Sequence, residues 1–175
     1  METVRRAMNG DDEAFYSLIQ ENKSTLYRTA FAYTKNEHDA IDIVQEAVYK
    51  AYISLGKLKE PDYFHTWLTR ILINCAIDFL RKKKRVIPFD EPLPESVTSN
   101  GVLEQKPVED TMDLLQAVAN LNEKYKTVII LKYYRDLPLK QIAEILDCPI
   151  GTVKSRLNMA LKKLRINLEE DWVYE

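Results

Sequence analysis

Five basic residues and no acidic one fall between positions 151 and 165: Lys154, Arg156, Lys162, Lys163 and Arg165. Thr152, Ser155, Asn158 and Met159 stand among them. Cations for phosphates, with short polar groups near a helix N-terminus for base edges, are what a DNA major groove requires. Just upstream, Leu139, Ile142, Ala143 and Leu146 mark a short amphipathic helix, and Asp147-Cys148-Pro149 interrupts it. Helix, short turn and second helix make the helix-turn-helix arrangement. In the second helix, from about Ile150 to Leu168, the spacing predicts Val153, Leu157, Leu161 and Leu164 as the buried face. Lys154, Ser155, Asn158, Lys162 and Arg165 lie opposite, with Thr152, Arg156 and Lys163 flanking. A solvated basic face on an ordinary helical hairpin would carry similar charges. The turn and the wholly basic helix together favour DNA.

A second constellation is Tyr63-Phe64-His65-Thr66-Trp67, followed by Arg70, Asn74 and the run Arg81-Lys82-Lys83-Lys84-Arg85. Aromatic rings beside a track of cations suit unpaired bases. Stacking contributes about 1–3 kcal/mol per base while the cations follow the backbone. Phe64 and Trp67 are also core candidates, Trp67 above all, whereas Tyr63 and His65 are expected at the surface. A third set, Asp39, Asp42, Gln45, Glu46 and Lys50, is the polar face of another helix, and alone it describes only a solvated face. Catalysis finds no support. Asp42 and Glu46 are spaced as a carboxylate pair, but no third ligand follows at helical spacing. His38, His65, Cys75 and Cys148 make no H-E-x-x-H or CxxC, and Ser155 has no base near it in sequence. No metal, cofactor or enzymatic activity is expected.

Helices must hold these residues. Ala14, Leu18, Ile19, Leu26, Ala30 and Phe31 outline one, with Asp11 or Asp12 as its N-cap. Ile41, Val44, Val48, Ala51 and Leu55 outline the clearest, ended by the stretch from Gly56 to Pro61. A third starts near Asp62 and runs through Trp67, Ile71, Cys75 and Phe79. Further on, Leu114, Val118, Leu121, Tyr125, Val128 and Ile129 begin a second group. Between the groups, residues 86–112 hold six acids, one base and four of the seven prolines, with no sustained apolar period. That composition predicts a flexible acidic linker, extended by proline and like-charge repulsion. The expected fold is all-α: a module over 1–85, a linker over 86–112 and a module over 113–170, each small for an independent core.

The 27 acidic and 25 basic residues leave a net charge of −2, which excludes a uniformly basic DNA coat. Four glycines, at 10, 56, 101 and 151, assemble no G-x-G-x-x-G or Walker loop. Two distant cysteines argue against a disulfide-stapled secreted fold. The stretch from Met1 to Phe15 lacks the apolar core of a signal peptide, and runs such as Ile71 to Ile77 are too short to span a bilayer. A soluble, cytoplasmic, helix-rich protein without direct membrane insertion is expected.

In this order, the motifs resemble the extracytoplasmic-function group of bacterial sigma factors, over nearly the whole chain. Asp39-Ala40-Ile41-Asp42-Ile43-Val44-Gln45-Glu46-Ala47 is similar to the helix that docks on the clamp of core RNA polymerase. Phe64-His65-Thr66-Trp67-Leu68, with Arg70-Ile71 and Asn74, resembles the segment that melts and reads the minus-ten promoter element. Leu146 to Leu157 resembles the helix-turn-helix that reads the minus-thirty-five element. Asn158 and Met159 depart from the aromatic or basic residues that members often carry there. The resemblance implies two all-helical domains on a flexible tether and no catalytic chemistry. The protein would bind core polymerase through Asp39, Asp42, Gln45, Glu46 and Lys50. It would engage the minus-ten element through Tyr63, Phe64, His65, Trp67, Arg70, Asn74 and Arg81 to Arg85. Thr152, Lys154, Ser155, Arg156, Asn158, Met159, Lys162 and Lys163 would serve the minus-thirty-five element. It also implies a role in a stress or envelope response, and an anti-sigma partner, often membrane-anchored, that hides these surfaces at the inner membrane face.

The family's two promoter elements lie about 17 base pairs, or about 58 Å, apart. The linker reaches about 90 Å fully extended but only about 30 Å as a coil, so it must be held extended. Two other readings compete. A stand-alone helix-turn-helix regulator would bind duplex DNA as a dimer, but no dimerisation helix is evident and the second constellation would have no use. A helical interaction adaptor without DNA contact leaves the basic helix unexplained.

Overall fold

The computed structural model describes residues 1–86 and 116–171, with side chains through 83 and from 116 to 165. The expected linker beyond Val86, which instead ends a helix, lies outside the described residues, as do Leu114 and the side chains of Lys84 and Arg85. A short helix α1, Glu2–Met8, turns through Gly10, whose φ of +91° suits glycine. Asp11 then caps α2, Asp12–Thr34, by accepting a hydrogen bond from the Ala14 N–H at 2.9 Å. Lys35, in the left-handed conformation, closes α2, and the Asn36 side chain caps α3, Glu37–Ser54. Two 3-10 turns, Leu55–Lys57 and Pro61–Tyr63, lead into α4, Phe64–Val86. At 23 residues α4 is about 35 Å long and carries the basic run on its last turns.

α1 packs on α2, and α2, α3 and α4 pack on one another. α3 faces this core with Ala40, Ile43, Ala47 and Ala51, and Leu55 joins them from the turn that follows. That corrects the face read from the sequence. Ile41 is 44% exposed, and Val44 and Val48 are only half-buried. Three alanines at the contact let the helices approach closely, and they took the inside together with Ile43, while Ile41, Val44 and Val48 were left outside it or at its edge.

The second group starts with α5, 116–120, and α6, Glu123–Ile129, capped by the Asn122 side chain. A π turn, Ile130–Tyr134, continues α6, and α7, Leu139–Leu146, and α8, Ile150–Asp171, follow. Ala117, Leu121, Val128, Leu131, Ile142, Ile145 and Val153 form its core. The two helical groups expected from the sequence are present, and they pack on each other: α4 lies against α7, and α2 against the π turn. None of the described helices is long and apolar enough to cross a membrane.

Candidate nucleic-acid interface

α7 ends at Asp147, left-handed at φ 50°, a conformation that Asp tolerates better than most residues. The Cys148 N–H closes back on Ala143 O at 3.1 Å, and Pro149 O accepts from Thr152 N at 2.8 Å to begin α8. The turn is therefore three residues long, 147–149, as a helix-turn-helix requires. α8 buries Val153, Ala160 and Leu164, with Leu157 half-buried. Leu161 was expected in this stripe and is instead 41% exposed. Steps of four residues drift about 40° each around a helix, so Leu161 stands about 80° from Val153, and Ala160 takes its place. Lys154, Ser155, Asn158, Met159, Lys162 and Lys163 are exposed, while Thr152 and Arg156 are half-buried. The Ser155 hydroxyl donates to Thr152 O at 3.0 Å. Gly151, Ser155, Asn158 and Lys162 lie directly opposite the buried stripe, with Lys154 and Met159 flanking them.

On the other group, Tyr63 projects from its 3-10 turn and is 53% exposed. Phe64 is fully buried, packed against Trp67 and His65 at ring-centroid distances of 6.0 and 5.5 Å. Of the two readings given for Phe64, its burial favours the core one: it opens α4 from inside the core. Trp67 is half-buried. Trp67, Arg70, Asn74 and Arg81 recur at steps of three, four and seven residues and so share one side of α4. His65 and Lys83 do not join them. The His65 Nδ1 lies 3.2 Å from Asn22 Oδ1 on α2, and the Lys83 ammonium lies 2.6 Å from Asp39 on α3. Lys82 lines a polar cleft with Asp42, Glu46, Lys50, Cys75 and Asp78.

The Arg70 and Arg81 guanidiniums are both engaged across the seam between the helical groups. Arg70 Nη2 is 2.9 Å from Asp147 Oδ2, and Arg81 Nε is 3.1 Å from Glu123 Oε2. Neither pair is legible from spacing, since the partners are 77 and 42 positions apart.

On α3, Asp42, Gln45 and Glu46 are exposed, and Lys50 pairs with Glu46 at 3.1 Å. Asp39 is tied back to Lys83. Beside the polar residues runs an apolar strip that the sequence reading missed. Ile41, Tyr49, Tyr52 and Ile53 are 44–61% exposed. Phe15, Val44, Val48, Tyr49 and Tyr52 line a shallow groove of about 410 Å³ with Gln45 at its edge, and the Tyr52 hydroxyl donates to Asp12. A larger weight on Tyr as an interface residue would have found it. Burial pushes the Cys75 thiol up, away from thiolate chemistry. Among the described residues, no group of three His, Cys, Asp or Glu side chains is placed to hold a metal.

Comparison with known proteins places these surfaces in a family. Residues 18–86 match sigma-70 region 2, and residues 111–164 match sigma-70 region 4. The RNA polymerase sigma factor SigV of Bacillus subtilis is 41% identical over 153 residues, covering 87% of this chain and 90% of that protein. The ECF RNA polymerase sigma factor SigW of the same organism is 34% identical over 178 residues, covering 95% of each. The fold is also that of CnrH, solved in complex with the cytosolic domain of CnrY: the TM-score is 0.71 at 22% identity, covering 97% of this chain and 96% of CnrH.

Proposed function

Because the chain belongs to the extracytoplasmic-function group of sigma-70 family RNA polymerase sigma factors, we propose a division of labour among its surfaces in directing transcription initiation. It is not an enzyme. Its chemistry is recognition, and the catalytic steps belong to core RNA polymerase.

The α3 surface is the polymerase dock. Asp42, Gln45 and Glu46 supply the polar contacts, and the exposed strip of Ile41, Tyr49 and Tyr52 supplies the apolar centre that a stable interface needs. Asp39 and Lys50 act at the rim, where each already has an intramolecular partner. On α4, Trp67, Arg70, Asn74 and Arg81 form a track for the unpaired non-template strand of the minus-ten element, and the exposed Tyr63 ring stacks on a base. His65, Lys82 and Lys83, with Lys84 and Arg85 after them, contribute positive potential around the track, not a share of its face. α8 enters the major groove of the minus-thirty-five element. Lys154, Ser155 and Asn158 face base edges with Met159 beside them, and Arg156, Lys162 and Lys163 hold phosphates, with Thr152 at the N-terminal end.

The observation that carries this reading is the α8 surface. Every exposed charge described from 151 to 165 is basic, and the helix follows a three-residue turn. An anti-sigma factor is the second partner. The sigma factor RpoE of Bartonella quintana, in complex with the anti-sigma factor NepR, shares the fold at a TM-score of 0.65 over 89% of this chain. The working site is the cytoplasm, where polymerase and promoter are, with retention at the inner membrane face when the anti-sigma factor is membrane-anchored. Run-off transcription by purified core polymerase on a promoter library, with and without the protein, tests the proposal. Promoter-specific transcripts are expected only in its presence, and their absence would overturn it.

A further inference from the structure

We infer that the cleft between α2 and the π turn binds a small phosphate monoester with an apolar body, a ligand that neither the polymerase dock nor the DNA surfaces call for. One side of α2 supplies Arg28, Ala32 and Lys35, which recur at steps of four and three residues and so face one way over about 10 Å. Opposite them stand Ile130, Tyr133 and Tyr134 of the π turn, and then Arg135, whose backbone N–H closes the turn on Ile130 O at 3.0 Å. Turns of this kind within helices recur at functional sites. The two walls are tied to each other. The buried Tyr33 of α2 donates its hydroxyl proton to Thr127 Oγ1 on α6 at 3.0 Å, and Arg135 Nη1 donates to Thr29 Oγ1 on α2 at 2.8 Å.

The cleft has a polar end and an apolar end, and Tyr134 lines both. The polar end, about 330 Å³, is lined by Thr25, Arg28, Tyr134 and Arg135. Arg135 is half-buried, and its bond to the fully buried Thr29 fixes the guanidinium while most of its donors stay uncommitted. Among the described residues, neither Arg28, Arg135 nor Lys35 meets a carboxylate. Burial pushes the Arg135 guanidinium and the Lys35 ammonium down from their usual values, a direction that a bound anion would reverse. Two guanidiniums with two hydroxyls beside them suit the three oxygens and double charge of a phosphate better than a single carboxylate. The apolar end, about 480 Å³, is walled by Ala32, Val118, Ile130, Tyr133 and Leu161, with Lys35 also on its lining. Small-molecule sites have this size and this make-up, mostly apolar with a few convergent polar groups. A phosphate alone would leave the apolar volume empty, whereas an apolar body attached to it removes that surface from water.

The test titrates the full chain, without polymerase, with naphthyl phosphate in an isothermal calorimeter. Inorganic phosphate, which has only the anion, and naphthol, which has only the body, are titrated beside it. Saturable binding of naphthyl phosphate is expected, at least about tenfold tighter than either fragment. Arg28 is exposed, so Arg28→Glu should fold, and it sets a carboxylate beside Arg135 in place of the ligand's anion. It should weaken naphthyl phosphate binding at least about tenfold. Lys23→Glu makes the same charge change at another exposed position on α2 and should alter binding less than about twofold. Leu161→Asn, on the apolar wall, should weaken naphthyl phosphate and leave inorganic phosphate unchanged. Circular dichroism checks that each variant is folded. A parent that shows no saturable binding, or binds naphthyl phosphate no tighter than its fragments, overturns the site. So does an equal loss in Arg28→Glu and Lys23→Glu, which would reduce the effect to net charge.

Discussion

Tyr63 and Phe64 are neighbours in sequence and opposites in structure, and replacing each by alanine separates recognition from folding. Tyr63 is 53% exposed, and its hydrogen bond to Glu60 O comes from the backbone N–H and not the side chain, so truncation should leave the helical bundle nearly as stable as before. If its ring stacks on one unpaired base, the loss is about 1–3 kcal/mol, or roughly 5- to 150-fold in open-complex formation. Phe64 is fully exposed to neither water nor DNA: it is 0% accessible, against Trp67 and His65. Phe64→Ala opens a cavity and should cost about 3–5 kcal/mol. Whole domains have only about 5–15 kcal/mol in reserve, so that variant should be partly unfolded near body temperature. Urea melts followed by circular dichroism give the stability. Permanganate footprinting with core polymerase, on duplex promoters and on templates with a pre-melted bubble, gives the function. Tyr63→Ala should keep its urea midpoint and lose more on duplex than on bubble templates. A Tyr63→Ala that melts like Phe64→Ala, or that loses equally on both templates, would refute the reasoning.

Charge reversal of the dock, Asp42→Lys with Glu46→Lys, should weaken binding to core polymerase at least tenfold while leaving helical circular dichroism intact; losing the exposed Lys50 pair costs only about 0.3–0.5 kcal/mol. Selection of minus-thirty-five sequences should show a changed base preference for Asn158→Ala, at about 1–3 kcal/mol per good contact, and for Lys162→Ala only uniform weakening with a flatter salt dependence. Leu164→Ala should destabilise by about 2–5 kcal/mol in chemical denaturation, whereas the exposed Leu161→Ala should cost far less. The hydrogen bond from the Ala14 N–H, helped by Arg6, holds the Asp11 carboxyl below its usual value. Its contribution to stability is therefore present above that usual value and disappears as pH falls through the lowered one. Thermal melts from pH 5 to about pH 2 should show a smaller acid loss for Asp11→Asn, which keeps the cap but not the charge, than for the parent.

Much of this was legible along the chain. Caps, breakers and periodicity located the helices. Asp11 does cap α2, Asp147-Cys148-Pro149 is the turn before α8, and the all-α organisation in two groups follows from local rules that one strand of sequence obeys. The clustering of like charges on α8 is a property of spacing alone, so its exposed basic face was readable too. Which side of a helix is buried was harder. On α3 the pattern of large apolar residues pointed to Ile41, Val44 and Val48, but close packing between helices selects by size and shape. Alanines 40, 47 and 51 went inside, and Ile41, Tyr49 and Tyr52 were left exposed. Leu161 was displaced from its stripe by angular drift, and Phe64 was drawn into the core from beside an exposed Tyr63. The pairs Arg70–Asp147, Arg81–Glu123 and Tyr33–Thr127 depend on where α4 and α2 come to rest against α7 and α6. No periodicity encodes that, because such contacts are set by the docking of whole elements and by the shape each surface presents to the other.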